Sequence, residues 1–265
     1  MRKCRGPLYL AWCGDNTLAA YARPMRRGSL KMKVIFRCDP ALVDLLPRPV
    51  PAQLALPDWL RQMAPRVPSA VHQRSVRTVK QCPPFVDAMT HGFMILLPCD
   101  VNVHHGEFSW DWALPPVSAA GHPRAPMSFH VPEQIAGSPL ANGHQVALKF
   151  NSFWTIELDA GWSLMAVHPI NRADLPFHTL TGMVDADRFN DVGINFPAIW
   201  VEPAFEGVLA RGTPVAQCYA VSRERPTLVC EAFSPEQVRR YDDMAARILS
   251  APGVYRKSYR SKRGG

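Results

Sequence analysis

Three short stretches carry side chains that chemistry can use. Asp185 and Asp187 stand two residues apart, and on a strand that spacing turns both carboxylates to one face. Such a pair can hold a hard cation through water, or raise one pKa for work as a base. A solvated turn after Val184 uses the same Asp-x-Asp pattern. The second stretch is His168, Asn171, Arg172 and Asp174, with His178 just beyond. The guanidinium of Arg172 is a planar fork suited to phosphate or carboxylate, and His168 and His178 can meet across a hairpin. The same residues also read as structural: a satisfied histidine, and an ion pair from Arg172 to Asp185 or Asp187 that braces the fold. The third stretch, His104-His105-Gly106-Glu107, offers nitrogen and carboxylate donors of the kind metals take. Adjacent residues on a strand face opposite ways, so both imidazoles serve one ion only on an irregular loop. The alternative is a polar hairpin tip.

Other chemistry is less well provided for. No Gly-rich phosphate loop, dinucleotide fingerprint or serine nucleophile elbow occurs in the chain. Cys82 precedes two prolines at a possible helix start, where a thiol pKa can fall, but no base stands near it in sequence. Phe108, Trp110, Trp112, Trp154, Trp162 and Trp200 can line a groove for bases. At strand spacing they also read as core.

The elements that must position these groups are mostly strands. From Gly161 to Gln217, short apolar runs alternate with Gly, Pro, Asn and Asp at roughly 8–12-residue spacing, the pattern of an all-β barrel or sandwich. Earlier strands are expected at 93–98, 100–104, 107–114, 127–131, 146–150 and 153–158, with residues 93–114 forming a hairpin that turns at His104-His105-Gly106. A short helix is expected near Pro84–Thr90, ending at Gly92. A longer one, over 234–249, starts at the capping box Ser234-Pro235-Glu236-Gln237. Its stripe of Val238, Tyr241, Ala245 and Ile248 is expected to pack on the body. The domain plan is a basic extension (1–31) that adds nothing to the fold, with Met32 opening the domain proper, then a Pro-rich arm (32–78) and a β-barrel (79–225). A C-terminal helical segment (226–253) and a basic, disordered tail (254–265) follow.

Composition sets the bounds. The 265 residues are 47% apolar, enough for a substantial core, and 26 prolines favour turns and strand ends over helix interiors. The net charge of +8 is unevenly placed. Residues 1–31 carry +6 and residues 254–265 carry +5, which leaves the body between them at −3. Basic ends can touch phosphate without reading sequence, or simply keep the chain solvated. Seven scattered cysteines with no CxxC pair argue against a metal finger or a disulfide framework, and for a reducing, cytoplasmic setting. No apolar run approaches the roughly 18–20 residues that span a bilayer.

Two resemblances rest on particular segments. Cys82-Pro83-Pro84-Phe85-Val86-Asp87-Ala88-Met89, Phe153-Trp154-Thr155-Ile156, Gly161-Trp162-Ser163 and His168-Pro169-Ile170-Asn171-Arg172 resemble an uncharacterised family found in tailed-phage and bacterial genomes. So do Gly182-Met183-Val184-Asp185-Ala186-Asp187 and Gly212-Thr213-Pro214-Val215-Ala216-Gln217, and the likeness covers roughly residues 79–225. The last two segments are also similar, more distantly, to the trimeric dUTPase and dCTP deaminase superfamily, which pairs Gly-x-(Val/Ile)-Asp with a later Gly-x-x-(Ile/Val)-Ala-Gln. That resemblance implies a compact β-clip barrel, with Asp185 at the position of the water-positioning carboxylate and Gln217 beside the ligand. The family's phosphate-binding Arg-Ser-Gly-Leu-Ala segment is missing, Arg188 and Phe189 stand where a sugar-stacking Tyr is expected, and no Gly-rich lid follows.

Together these readings lead to a mainly β chain, a dUTPase-like barrel with a Pro-rich arm and one C-terminal helix. Its leading expected role is that of a non-catalytic binding or structural protein of a phage-type accessory family, forming homo-oligomers through strand edges and flanking arms. The alternative is a metal-assisted nucleotide hydrolase with Asp185 and Asp187 as catalytic groups and His168, Asn171, Arg172, Asp174 and Gln217 binding ligand. Mg²⁺ is implied only in that case; otherwise the cofactor is unknown. A further alternative is nucleic-acid association through the basic ends.

Overall fold

The computed structural model describes residues 32–118, 120–140 and 146–261. The basic extension at 1–31 and the last four residues of the tail lie outside them.

The centre of the molecule is a five-stranded antiparallel sheet in the order β13-β11-β16-β5-β2. Its strands are β2 (Val50–Pro51), β5 (Phe93–Leu96), β11 (Trp162–Val167), β13 (Gly182–Val184) and β16 (Pro214–Ser222). β16 is its longest strand, and Pro214 to Cys218 are buried without alternation, as expected for a strand covered on both faces. A second sheet runs β12-β14-β9-β8, from β12 (Phe177–Thr179), β14 (Asn195–Trp200), β9 (Ala147–Asn151) and β8 (Met127–Phe129). A third joins β15 (Gly207–Leu209), β6 (Val101–His104) and β7 (Glu107–Ser109). One continuous core draws on all three: Ile95, Leu164 and Ala216 from the first, Leu148, Phe150 and Phe196 from the second, Val101 and Leu209 from the third.

The Pro-rich stretch 32–78 is part of this architecture. β1 (Val34–Arg37) pairs with β10 (Thr155–Leu158), and β2 closes one edge of the central sheet. Between them Leu42 and Leu46 form a second apolar cluster with Phe153 and Trp154, where the Trp154 indole N–H donates to the Pro47 carbonyl at 3.0 Å. The helical turn α1 (Asp58–Gln62) and the hairpin of β3 (Arg66–Ser69) and β4 (Arg74–Arg77) complete the segment. The aromatic residues follow the core reading: Trp154 and Trp200 are buried, and Trp110 and Trp162 pack against the main cluster.

Helix α2 (Pro83–Thr90) carries two prolines in its first turn, where no intrahelical N–H is needed. It ends at Gly92, whose φ of +74° is left-handed. A Cβ on Gly92 would stand 2.1 Å from the Cys218 carbonyl oxygen, so glycine is what lets the end of the helix lie against β16.

Three expectations are corrected. No closed barrel is found among the described residues. The sheets have edges, because Pro51 has no N–H with which to extend the ladder at β2, and β13 stops after three residues at the Asp185 turn. Residues 93–114 are not one hairpin. The chain turns at Pro98–Asp100, so β5 stays in the central sheet while β6 and β7 alone form the hairpin, and no strand covers residues 110–114. The C-terminal helix forms as α3 (Pro235–Ser250), with Ser234 and Gln237 completing the capping box, but none of its residues is buried. What docks is the segment after it: Val254 is buried, residues 255–259 make a π-helical turn, and Arg260 pairs with Asp87 of α2 at 2.6 Å. Among the described residues no helix is long and apolar enough to cross a membrane.

Candidate functional site

Strand register decides where the acids go. β11 lies between β13 and β16, with Leu164 opposite Val184 and Trp162 opposite Ser222. Extending those ladders brings Asp185 beside Ser163, and both Asp187 and Arg223 beside Gly161. The contacts follow. Ser163 Oγ–H donates to Asp185 Oδ1 at 2.6 Å, the Gly161 N–H donates to Asp187 Oδ2 at 2.9 Å, and Arg223 Nη1–H donates to Asp187 Oδ1 at 2.7 Å. Arg223 Nη2 closes a second bond to Asp187 and Nη1 lies 3.4 Å from Asp185. The Arg223 guanidinium and the Gly161 N–H hold the Asp187 carboxyl far below the ordinary carboxylate range. The two acids do share a face, and they spend it on one arginine. The expected partner Arg172 is therefore replaced by Arg223, which no local pattern marks because its place depends on two registers at once.

Arg172 belongs to the turn that follows the other end of β11. Ser163 and Val167 are four strand residues apart, about 13 Å, so the two sets of groups occupy opposite ends of the strand. Arg172 forks onto Asp174, Nε to Oδ1 at 2.8 Å and Nη2 to Oδ2 at 2.9 Å. The Trp59 indole N–H reaches Asp174 Oδ1 at 3.4 Å. Partial burial pushes the Asp174 pKa up, but Arg172 outweighs it and the carboxyl sits below its usual value. Asn171 occupies the left-handed region at φ +59°, which its short side chain tolerates. His168 accepts the Thr179 N–H at Nδ1 (3.2 Å) and donates Nε2–H to the Arg172 carbonyl (3.0 Å). That pair of bonds selects one neutral tautomer, and burial lowers its pKa in the same sense. His178 stacks on it with ring centroids 4.6 Å apart.

Gln217 is fully buried beneath this turn. Its carbonyl accepts the Ile170 N–H at 3.0 Å, and its amide donates to the carbonyls of Ala88 (2.9 Å) and His91 (2.7 Å). It ties α2, β16 and the 168–172 turn together, and its polar capacity is used within the protein.

At the β6–β7 tip, His104 and His105 meet Glu206, not Glu107. His104 Nδ1 is 2.8 Å from Glu206 Oε2, and the His105 N–H donates to Oε1 at 2.8 Å. These contacts, the His105 N–H foremost, lower the Glu206 pKa. No local motif announces Glu206, which arrives one residue ahead of β15.

A cleft of about 860 Å³ includes Arg37, Cys38, Asp39, His122, Phe153 and Asn190 in its wall. Arg37 pairs with Glu157 at 2.5 Å on that rim. Asp39 accepts the N–H groups of Ala41 and Ser118, which lower its pKa, and burial raises that of the Cys38 thiol. The cleft offers polar groups for recognition, without an activated nucleophile. Compared with protein-family models and with curated proteins, the chain matches none.

Proposed function

We propose that the chain is a non-catalytic binding or structural protein, of the phage accessory kind, that self-associates through its C-terminal arm and helix. The observation that carries this reading is the uncovered apolar face of α3. Val238, Tyr241 and Ile248 are 45–62% exposed, and Leu228, Val229 and Phe233 on the strand-free segment before the helix are 63–87% exposed. Apolar surface kept in water forgoes roughly 25 cal/mol per Å², and an ordered helix that carries such a stripe is suited to a partner. A second copy is the proposed occupant, since its own α3 carries the same apolar stripe. Support for a dUTPase-like arrangement of sheets comes from Gly182–Asp185 and Gly212–Gln217, whose strands flank the same strand β11. The binding role falls to the 860 Å³ cleft.

The test is the mass of the full chain by light scattering. A multimer is expected, reduced to monomer in a Val238→Asp/Ile248→Asp variant whose melting temperature is unchanged. A wild-type chain that stays monomeric at high concentration overturns the reading. So does Mg²⁺-dependent turnover of a nucleotide that is lost in Asp185→Ala.

A further inference from the structure

We propose that His104, His105 and Glu206 form a binding site for one divalent transition-metal ion of the zinc, cobalt or nickel kind. Among the described residues, these three are the one group of His, Cys, Asp and Glu side chains that offers ligand atoms all within 4.8 Å of one another. The loop that unites them is built in a particular way. β6 and β7 are joined by two residues, His105 and Gly106, both at positive φ (+51° and +76°), as a type I′ hairpin requires. A left-handed residue turns its side chain away from strand alternation, so the His105 ring swings back beside that of His104, with centroids 4.0 Å apart. This is the irregular loop that two adjacent histidines need in order to serve one ion. The third donor comes from across the sheet. Gly207 pairs with Val103, so the next pair in that ladder is Glu206 with His104.

The distances suit a common ion. Donor atoms on one tetrahedral zinc stand about 3.4 Å apart, given bonds of roughly 2.1 Å. Here His104 Nδ1 and His105 Nδ1 lie 2.8 and 3.7 Å from the two Glu206 oxygens. All three side chains are exposed and free to close the remaining ångström by rotation. Two imidazoles and one carboxylate are borderline donors that favour zinc, cobalt and nickel, whereas Mg²⁺ and Ca²⁺ ask for more oxygens. Three protein ligands leave a coordination position for water. Binding would clamp the start of β15 to the hairpin tip.

The experiment titrates the untagged, chelator-treated full chain with Co²⁺ and with Zn²⁺, following the visible Co²⁺ spectrum and the melting temperature. The expected result is one ion per chain, a saturable rise in melting temperature, and no thiolate-to-cobalt charge-transfer band. That last readout excludes the exposed Cys82 and Cys230 as ligands. His105→Asn keeps a residue that suits the left-handed turn, so metal-free stability should hold while affinity falls at least about tenfold, since loss of a supporting contact alone costs a metal site that much. Glu206→Gln should do the same. The absence of saturable binding by wild type, equal binding by both variants, or a thiolate band each overturns the proposal.

Discussion

The knot around Gln217 and the helix α3 treat polarity in opposite ways. In the knot, polar side chains are engaged: buried Gln217 holds three backbone groups, the buried Thr179 hydroxyl donates to the Val215 carbonyl at 2.5 Å, and half-buried His168 uses both ring nitrogens. In α3 the apolar side chains are the ones left in water. Polar residues that look like a reaction centre on paper brace the body, and apolar residues that look like core form a surface. Burying a polar group is tolerable only when every hydrogen bond is made, which makes the knot rigid and unforgiving. An exposed stripe tolerates change in the isolated chain and matters only when a partner covers it.

The largest effects are therefore expected in the knot. Gly92→Ala forces a Cβ into the Cys218 carbonyl and strains a left-handed residue, and overpacking together with the φ penalty should cost about 3 kcal/mol. Gln217→Leu keeps the volume but orphans the Ile170 N–H and the His91 carbonyl, again about 3 kcal/mol at 1–3 for each buried group. Urea unfolding of the full chain measures both. A loss below about 1 kcal/mol in either would show that the knot relaxes, and the contrast with α3 would fail.

Asp187 tests the contrast at an intermediate point, since its side chain is only 7% exposed but its partner Arg223 reaches solvent. Its carboxyl pKa is depressed in the folded chain, while an unfolded Asp titrates near 3.9. The stabilisation is therefore present above about pH 4 and lost as the pH falls through the lower folded value. Asp187→Asn should lower the melting temperature at neutral pH and flatten its dependence on pH in the acid range. A variant whose acid profile parallels that of wild type would remove the Asp187–Arg223 pair from the list of braces.

How much of this could be read beforehand depends on whether the cause is local. The Pro-Pro start of α2, its glycine end, the Ser234–Gln237 box and the apolar stripes of β11 and β16 are carried by neighbouring residues, and they are where they were expected. Partner choice is not local. Arg223 rather than Arg172 reaches Asp187 because two antiparallel registers meet at Gly161, and Glu206 rather than Glu107 meets the histidines because β15 joins β6 from another part of the chain. Sheet closure failed for the same reason: strand content was legible, while the turn at Pro98 that sends β6 into a different sheet was not. Asn171 is instructive in the other direction. Its type suggested ligand contact, and its φ of +59° gives it a backbone role.

The smallest effect on stability is expected where the proposed function is most exposed. Val238, Tyr241 and Ile248 repeat at helical spacing, so the amphipathic pattern was plain, but periodicity tells which face is apolar and not whose surface covers it. Among the described residues Val238, Tyr241 and Ile248 of that face stay exposed, Ala245 is half-buried, and the Phe233 ring lies 5.8 Å from that of Tyr241. Val238→Asp and Ile248→Asp should then change the unfolding free energy of the monomer by no more than about 0.5 kcal/mol, the range of surface substitutions. If a second copy covers the stripe, the same pair of changes should make the melting temperature independent of protein concentration, where that of wild type rises with it. The two readouts separate the possibilities cleanly. A monomer destabilised by several kcal/mol would mean that α3 packs on its own body in solution, and the comparison between knot and helix would collapse into one core. A concentration-dependent melting temperature that survives both changes would keep the oligomer and move its interface to a strand edge, such as that of β13.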